Sequence, residues 1–323
     1  MSKNIKILIT GGAGFIGSAL CENLCNDYDI VVYDNFKRNS IALTNLVNKK
    51  NIKLVEGDVR NKELLTQVVL GCDVVIHLAA IAGVKQYYEN PLDVILVNYH
   101  GTKNLLDALV HQKIGLFLFA STSEIYGTMA NNVKENHNPS SFPPDDMRSV
   151  YGKSKTLAEQ ICFCYSSKYN FPVLSFRPFN IYGPGQLGEG AIRNMIENAL
   201  KNQTIKVTGD GSSIRAWCYI TDLVDAIVTS INIRDTIKAE TINIGNPSQT
   251  YTTLDLANKI IDITSSKSEI EMVDHVGIDI EKRIPNIDKA KNLLDFKPKI
   301  DIDTGIRNTA KWWETILKGS RKH

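Results

Sequence analysis

The segment Tyr151-Gly-Lys153-Ser-Lys155 sets a phenol and an ammonium four residues apart. At the start of a helix that spacing puts both on one face, where the lysine stabilises a phenolate. A phenol brought from about 10 towards neutrality is a usable general base, which removal of hydride from an alcohol demands. Hydride needs an acceptor, and the run Gly11-Gly12-Ala-Gly14-Phe15-Ile16-Gly17 offers a place for one. Glycines there allow a tight turn, bring the backbone close to a pyrophosphate and let a helix pack closely on a strand. The N-terminus of that helix adds amides and partial positive charge. Asp34 closes the next strand about twenty residues on, where an acid hydrogen-bonds the adenosine ribose. This selects NAD, because Asp34 repels the 2′-phosphate that Lys37 and Arg38 stand near enough to hold. Asp58, after the third strand, is placed to meet the adenine amino group or simply to form a turn.

Groups so spaced must be carried by a regular scaffold, and the first half of the chain supplies one. Near-continuous apolar runs at 5–10, 30–33, 52–55, 74–77 and 117–120 read as strands of a parallel sheet buried on both faces. Between them, 15–26, 91–112 and 150–169 carry apolar residues at helical spacing, with Pro91 where a first turn tolerates proline. The series is α/β, a Rossmann-type doubly wound parallel sheet. Beyond Arg177, glycine and proline clusters separate shorter elements, which predicts a smaller α/β substrate domain. The division is 1–176 for the NAD-binding domain and 177–323 for the second, with 219–245 returning to the first sheet. The polar end at 318–323 reads as frayed.

Composition excludes several classes. The 323 residues are 43% hydrophobic, enough for a large core, and 37 basic against 35 acidic residues leave a net charge of +2. No basic run points to nucleic acid or a membrane surface. No stretch reaches the roughly 18 uninterrupted apolar residues of a membrane span, and no signal-peptide pattern opens the chain, so the expected location is the cytoplasm. The six cysteines and six histidines lack metal-ligand spacing, which predicts buried reduced thiols and no metal.

Taken together, the glycine run, Asp34, His77-Leu78-Ala79-Ala80, Ser121-Thr122-Ser123-Glu124-Ile-Tyr-Gly127 and the Tyr151/Lys155 segment resemble the extended short-chain dehydrogenase/reductases. More narrowly the chain is similar to their NAD-dependent epimerase/dehydratase branch, which acts on sugar nucleotides. Matches continue through Arg177-Pro-Phe-Asn180-Ile-Tyr-Gly-Pro184, Gly209-Asp-Gly211, Arg215-Ala-Trp-Cys-Tyr219, Asp222, Asn243-Ile-Gly245 and Arg283-Ile-Pro, covering nearly the whole chain. The resemblance implies a transient oxidation: Tyr151 deprotonates the sugar 4-hydroxyl, Thr122 shares that hydrogen bond, and hydride passes to NAD. Lys155 then binds the nicotinamide ribose and holds down the tyrosine pKa. It also implies that Asn35, Val59, Leu78, Ala79, Ala80 and Asn98 line the cofactor, and that Asn180, Arg215 and Arg283 hold the sugar diphosphate.

The chemistry after oxidation depends on the neighbouring groups. The Thr122-Ser123-Glu124 triplet is similar to uridine-diphosphate-glucuronate decarboxylases and to several 4,6-dehydratases, and Arg283 matches an arginine near the sugar carboxylate of the decarboxylases. The usual dehydratase Asp-Glu pair is Ser123-Glu124 here, so the proton donor for water loss departs from the dehydratase pattern. Against this, Ala80-Ile-Ala-Gly-Val84 and Glu89-Asn-Pro91 resemble 4-epimerases. The expectation is therefore decarboxylation or dehydration next to the 4-position of a UDP-sugar, with 4-epimerisation as the alternative and a non-catalytic NAD-binding regulator as the reading from another class. Family members pair the helices at 91–112 and 150–169 between subunits, so a homodimer is expected.

Overall fold

The computed structural model describes residues 5–138, 143, 145–275 and 277–319. The first half alternates strand and helix: β1 (Lys6–Thr10), α1 (Phe15–Leu24), β2 (Asp29–Asp34), β3 (Ile52–Glu56), α2 (Lys62–Val68) and β4 (Val74–His77). It continues with α3 (Val84–Glu89), α4 (Pro91–Ile95), α5 (Gly101–Leu109), β5 (Leu116–Ala120), β6 (Met129–Val133), α6 (Ser149–Tyr169) and β7 (Val173–Pro178). Then come β8 (Ile181–Tyr182), α7 (Ala191–Leu200), β9 (Ile205–Thr208), β10 (Ile214–Ala216), β11 (Cys218–Tyr219), α8 (Ile220–Asn232) and β12 (Ala239–Ile244). The chain closes with β13 (Thr250–Thr252), α9 (Thr253–Thr264), β14 (Ile270–Val273), β15 (Lys282–Pro285), α10 (Asp288–Leu294) and α11 (Ile302–Gly319).

Seven strands form one parallel sheet in the order β12-β7-β5-β4-β1-β2-β3. Side chains alternate across it with the period of two that a strand imposes. Ile7, Ile9, Val32, Ile76 and Leu118 face the core shared with α1 and α8, while Leu8, Val31, Tyr33, Val75 and Phe117 face α2, α5 and α6. Both faces are dry, as the unbroken apolar strands predict. Strand β12, from the stretch expected to return, pairs along β7 from Ala239↔Val173 to Ile244↔Pro178.

A second sheet, in the order β13-β10-β15-β6, draws its outer strand β6 from the first half of the chain. Sequence reading missed β6, because Met-Ala-Asn-Asn-Val buries only Ala130 and Val133 and gives no clean alternation. Three other boundaries differ. The helix expected at 15–26 stops at Leu24. The one expected at 91–112 is α4, a π-helical turn over Leu96–His100 and then α5, ending at Leu109. The wider turn brings Asn98 fully inside. The end expected to fray from 318 is helical through Gly319, and 320–323 lie outside the described residues. Five cysteines are buried as expected, but Cys164 is exposed. Among the described residues no helix is long and apolar enough to cross a membrane.

Candidate active site

The glycine run fits a dinucleotide, and the test is where a Cβ would go. At Gly11, with φ of 72°, a Cβ would stand 2.6 Å from the Ala79 backbone nitrogen, and at Gly17 it would enter the Gly12 backbone. At Gly14, which caps α1 without a side-chain bond, the nearest atom is the Gly11 carbonyl at 3.4 Å. The turn is thus closed on its protein sides and open at the helix N-terminus, between Phe15-Ile16 and the wall made by Leu78, Ala79 and Ala80. Asp34 receives the Ala13 N–H at 3.0 Å and the Phe36 N–H at 2.8 Å, fixing its carboxylate at the strand end. Burial pushes its pKa up, and those backbone bonds oppose the shift. Asn35 is exposed and accepts from Lys37 N–H at 3.1 Å.

Two of these residues carry bonds within the protein as well. Asp58 is gripped by Arg60, with Nη2 at 2.7 Å and Nε at 2.9 Å, so its carboxylate forms an ion pair that lowers its pKa. Asn98 accepts from Ile81 N–H at 2.9 Å and donates to Ile81 carbonyl at 3.2 Å and Ser154 Oγ at 3.3 Å. Its amide therefore holds the loop after Ala80, and acts on the cradle through that loop. Val59 is buried against Gly101. Arg38, weighed as a 2′-phosphate ligand, reaches instead to the Ala82 carbonyl at 2.8 Å, which leaves the acidic end of β2 to select against that phosphate.

Strand β5 and helix α6 bring the expected chemical groups together. Thr122 begins the tight turn after β5, its Oγ1 receiving Glu124 N–H at 3.1 Å, and its side chain hydrogen-bonds the Tyr151 phenol. Tyr151 is 8% exposed and stacks on Tyr87, with centroids 4.9 Å apart and planes inclined by 11°. Lys155 is 1% exposed, donates to the Ala120 carbonyl at 2.7 Å and lies 4.8 Å over the Phe119 ring. The phenol is held differently in the protein alone. Burial, with the Glu124 charge adding to it, pushes the phenol up to about 12, against the Thr122 hydrogen bond and the Arg38 charge. Lys155, drawn to the Ala120 carbonyl, is not among the charges acting on the phenol, and burial pushes its own pKa down to about 8.

Next to this pair a cavity of about 280 Å³ is lined by Glu124, Arg148, Asn180, Gln186, Arg215 and Trp217 among others. Arg283, 2% exposed, donates to Glu124 Oε1 at 2.7 Å and to the Gly127 carbonyl at 2.7 Å. The other carboxylate oxygen is 3.8 Å from Arg148 Nε. Burial alone would raise the Glu124 pKa, but Arg283, then Arg148, outweigh it, and the carboxyl is held below its usual value. Arg215, 3.6 Å from Asp279, is pushed down to about 10 by burial and by Arg283. Asn180, at φ of 43°, donates to the Ala216 carbonyl at 2.9 Å. Ser123 is buried in the turn. Sequence reading missed Arg148 and Tyr87. Arg148 stands three residues before Tyr151, and a cation leading into a Tyr-x-x-x-Lys helix was the available signal; Tyr87 lies in a short helix with none.

The model of the NAD dependent epimerase/dehydratase family matches residues 7–245. A protein of Bacillus subtilis (strain 168) described as an uncharacterized UDP-glucose epimerase is 31% identical, over 98% of this chain and 100% of its own. The UDP-N-acetyl-alpha-D-glucosaminuronate decarboxylase of Bacillus cytotoxicus is 32% identical, over 96% of this chain and 98% of its own. Among solved structures, the UDP-glucuronic acid 4-epimerase of Bacillus cereus, in complex with UDP-glucuronic acid and NAD, superposes with a TM-score of 0.90 at 28% identity, covering 97% of this chain and 100% of that one. With its glycine turn, its acidic strand end and its Thr/Tyr/Lys group, the chain belongs to the NAD dependent epimerase/dehydratase family.

Proposed function

We propose that the protein remodels the sugar of a uridine-diphosphate sugar by transient oxidation at the 4-position, and that the form this geometry supports best is decarboxylation of a uronate. Bound NAD supplies the hydride acceptor and returns the hydride at the end of the cycle. Gly11, Gly14, Phe15, Ile16 and Gly17 hold its pyrophosphate, Asp34 and Asn35 the ribose, and Val59, Leu78, Ala79 and Ala80 shape the groove. Asp58 meets the adenine end, and Asn98 works through its loop. Tyr151 takes the proton from the sugar 4-hydroxyl, with Thr122 sharing the bond. Lys155 donates to the nicotinamide ribose. Asn180 and Arg215 hold the diphosphate and sugar, while Arg283, expected beside them, turns to Glu124 and acts on the sugar through that carboxylate.

The observation that carries the decarboxylase reading is the Arg283–Glu124 pair at 2.7 Å, with Arg148 behind it. Loss of water needs a protonated acid beside the leaving hydroxyl. Ser123 is no such acid, and Glu124 is held ionised. Loss of carbon dioxide needs only that the substrate carboxylate be held out of the plane while its electrons pass towards the 4-ketone; a proton then fills the vacated position at C5, and return of the hydride to C4 would restore the hydroxyl. A cavity lined by Arg148 and Arg215, with Arg283 holding Glu124 from behind, suits a second carboxylate. Incubation with UDP-glucuronate should release carbon dioxide and a UDP-pentose. Glu124→Gln should cut that rate severely, and near-normal turnover to a product of unchanged mass would instead establish the second reading, 4-epimerisation, which the likeness to the Bacillus cereus epimerase supports.

The same reading divides the chain at 176/177 with 219–245 in the cofactor half, and makes it a homodimer. Helices α4 and α6 pack side by side and leave Leu92, Ile95 and Leu157 at 66%, 41% and 48% exposure, an apolar surface beyond what a lone subunit needs.

A further inference from the structure

The stripe that begins with Tyr151 and Lys155 continues along α6 to Glu159, four residues further, and these side chains are 8%, 1% and 6% exposed. A carboxylate so deep is costly unless it is paired and hydrogen-bonded. Glu159 is both: Ser175 Oγ donates to it at 2.8 Å, and Arg177 of β7 grips it through Nε at 3.1 Å and through Nη2. The third nitrogen of the guanidinium turns to other elements. Arg177 Nη1 donates to the Tyr126 hydroxyl at 2.6 Å and to the Glu135 carbonyl at 3.0 Å. Tyr126 donates onward to Asn243 Oδ1 at 2.8 Å, and Asn243 N–H donates to Glu135 Oε1 at 2.7 Å. Tyr126 closes the turn that Thr122 opens and that carries Glu124. A continuous run of bonds therefore links the helix of Tyr151 and Lys155, through β7, to the turn of Thr122 and Glu124, with β12 as its anchor.

We infer that Glu159, Arg177 and Tyr126 are positioning residues that fix the Thr122–Glu124 turn against α6 and keep a negative charge one helical turn beyond Lys155. The inference rests on the catalytic roles proposed for Tyr151, Lys155 and Thr122. Stability alone does not call for the device, since apolar residues of similar volume often replace a buried ion pair without loss. None of the three lines the cavity. The charge has a second effect. Lys155 faces Cys162 and Glu159 on its own helix, His77 from β4 and the Ala120 carbonyl and Phe119 ring from β5. Burial keeps the Cys162 thiol and the His77 ring neutral, which leaves Glu159 as the anion that opposes loss of the Lys155 proton.

The experiment uses full-length protein labelled with carbon-13 at the lysine ε-position, with the Lys155 resonance assigned by Lys155→Arg. In Glu159→Gln the Lys155 titration should move down by about 1 pH unit, and the pH at which kcat/KM stops rising should move down with it. Tyr126→Phe loses one hydroxyl and keeps its ring on Phe179; kcat should fall by roughly 10- to 100-fold, as small misplacements do, with the Lys155 titration unmoved. If Glu159→Gln does not fold, Glu159→Gln with Arg177→Met removes both charges together and should fold, with Lys155 shifted in the same direction but by less, because the lost Arg177 cation offsets part of the lost anion. An unshifted Lys155 in whichever Glu159 variant folds, or wild-type kcat in Tyr126→Phe, overturns the inference. The Lys155 titration is readable without any substrate, so a failure of the proposed reaction is told apart from a failure of this positioning.

Discussion

At the residue scale the site is a contest between burial and a few directed bonds. Tyr151 stands at about 12 because its ring is enclosed by Tyr87 and the Thr122 turn, and proton transfer must draw on the bonds that lower it. Tyr151→Phe should lose about 10²- to 10⁴-fold in turnover while keeping its cofactor and its melting temperature, measured by absorbance of the purified protein and by calorimetry. Thr122→Val removes a hydrogen bond that lowers the phenol pKa. The phenol then rises further, so the acid limb of the pH–rate profile should move to higher pH. Each unit of that move costs about tenfold at pH 7, where the phenolate fraction is already small. A limb that stays put would mean that Thr122 does not act on the proton.

At the element scale, much was legible because it is local. The five parallel strands follow from apolar runs, and the cradle follows from glycine spacing at a strand-to-helix junction. Gly17→Ala should destabilise the fold by ~1–3 kcal/mol, because the new methyl meets Gly12 backbone that has no room to move. Gly14→Ala meets only the Gly11 carbonyl at 3.4 Å, so it should melt normally yet purify with less bound NAD. Thermal denaturation and cofactor content separate the two outcomes. What sequence could not show depends on partners distant along the chain. Arg283 meets Glu124 across 159 positions, and the polar strand β6 has no pattern of its own until β15 pairs with it. The direction of the Tyr151 shift also escaped, because it turns on how completely the ring is enclosed and on the Glu124 charge that adds to that burial.

For the whole molecule, the proposed dimer places Leu92, Ile95 and Leu157 under a second subunit. Leu157→Asp puts a charge on a side chain that is 48% exposed in one subunit, so folding should survive while association does not. Sedimentation velocity should show half the wild-type mass, and an unchanged sedimentation coefficient would remove these helices from the interface.

The two sheets also trade strands. The large one ends on β12, contributed from beyond residue 238, and the small one ends on β6, contributed from before residue 134. Neither half can be peeled away without stripping an edge from the other. Heat should therefore melt the chain in one calorimetric peak, and a fragment cut at 176 should be recovered as aggregate, since it would truncate β7, leave that strand without β12 and leave β6 with nothing to pair against.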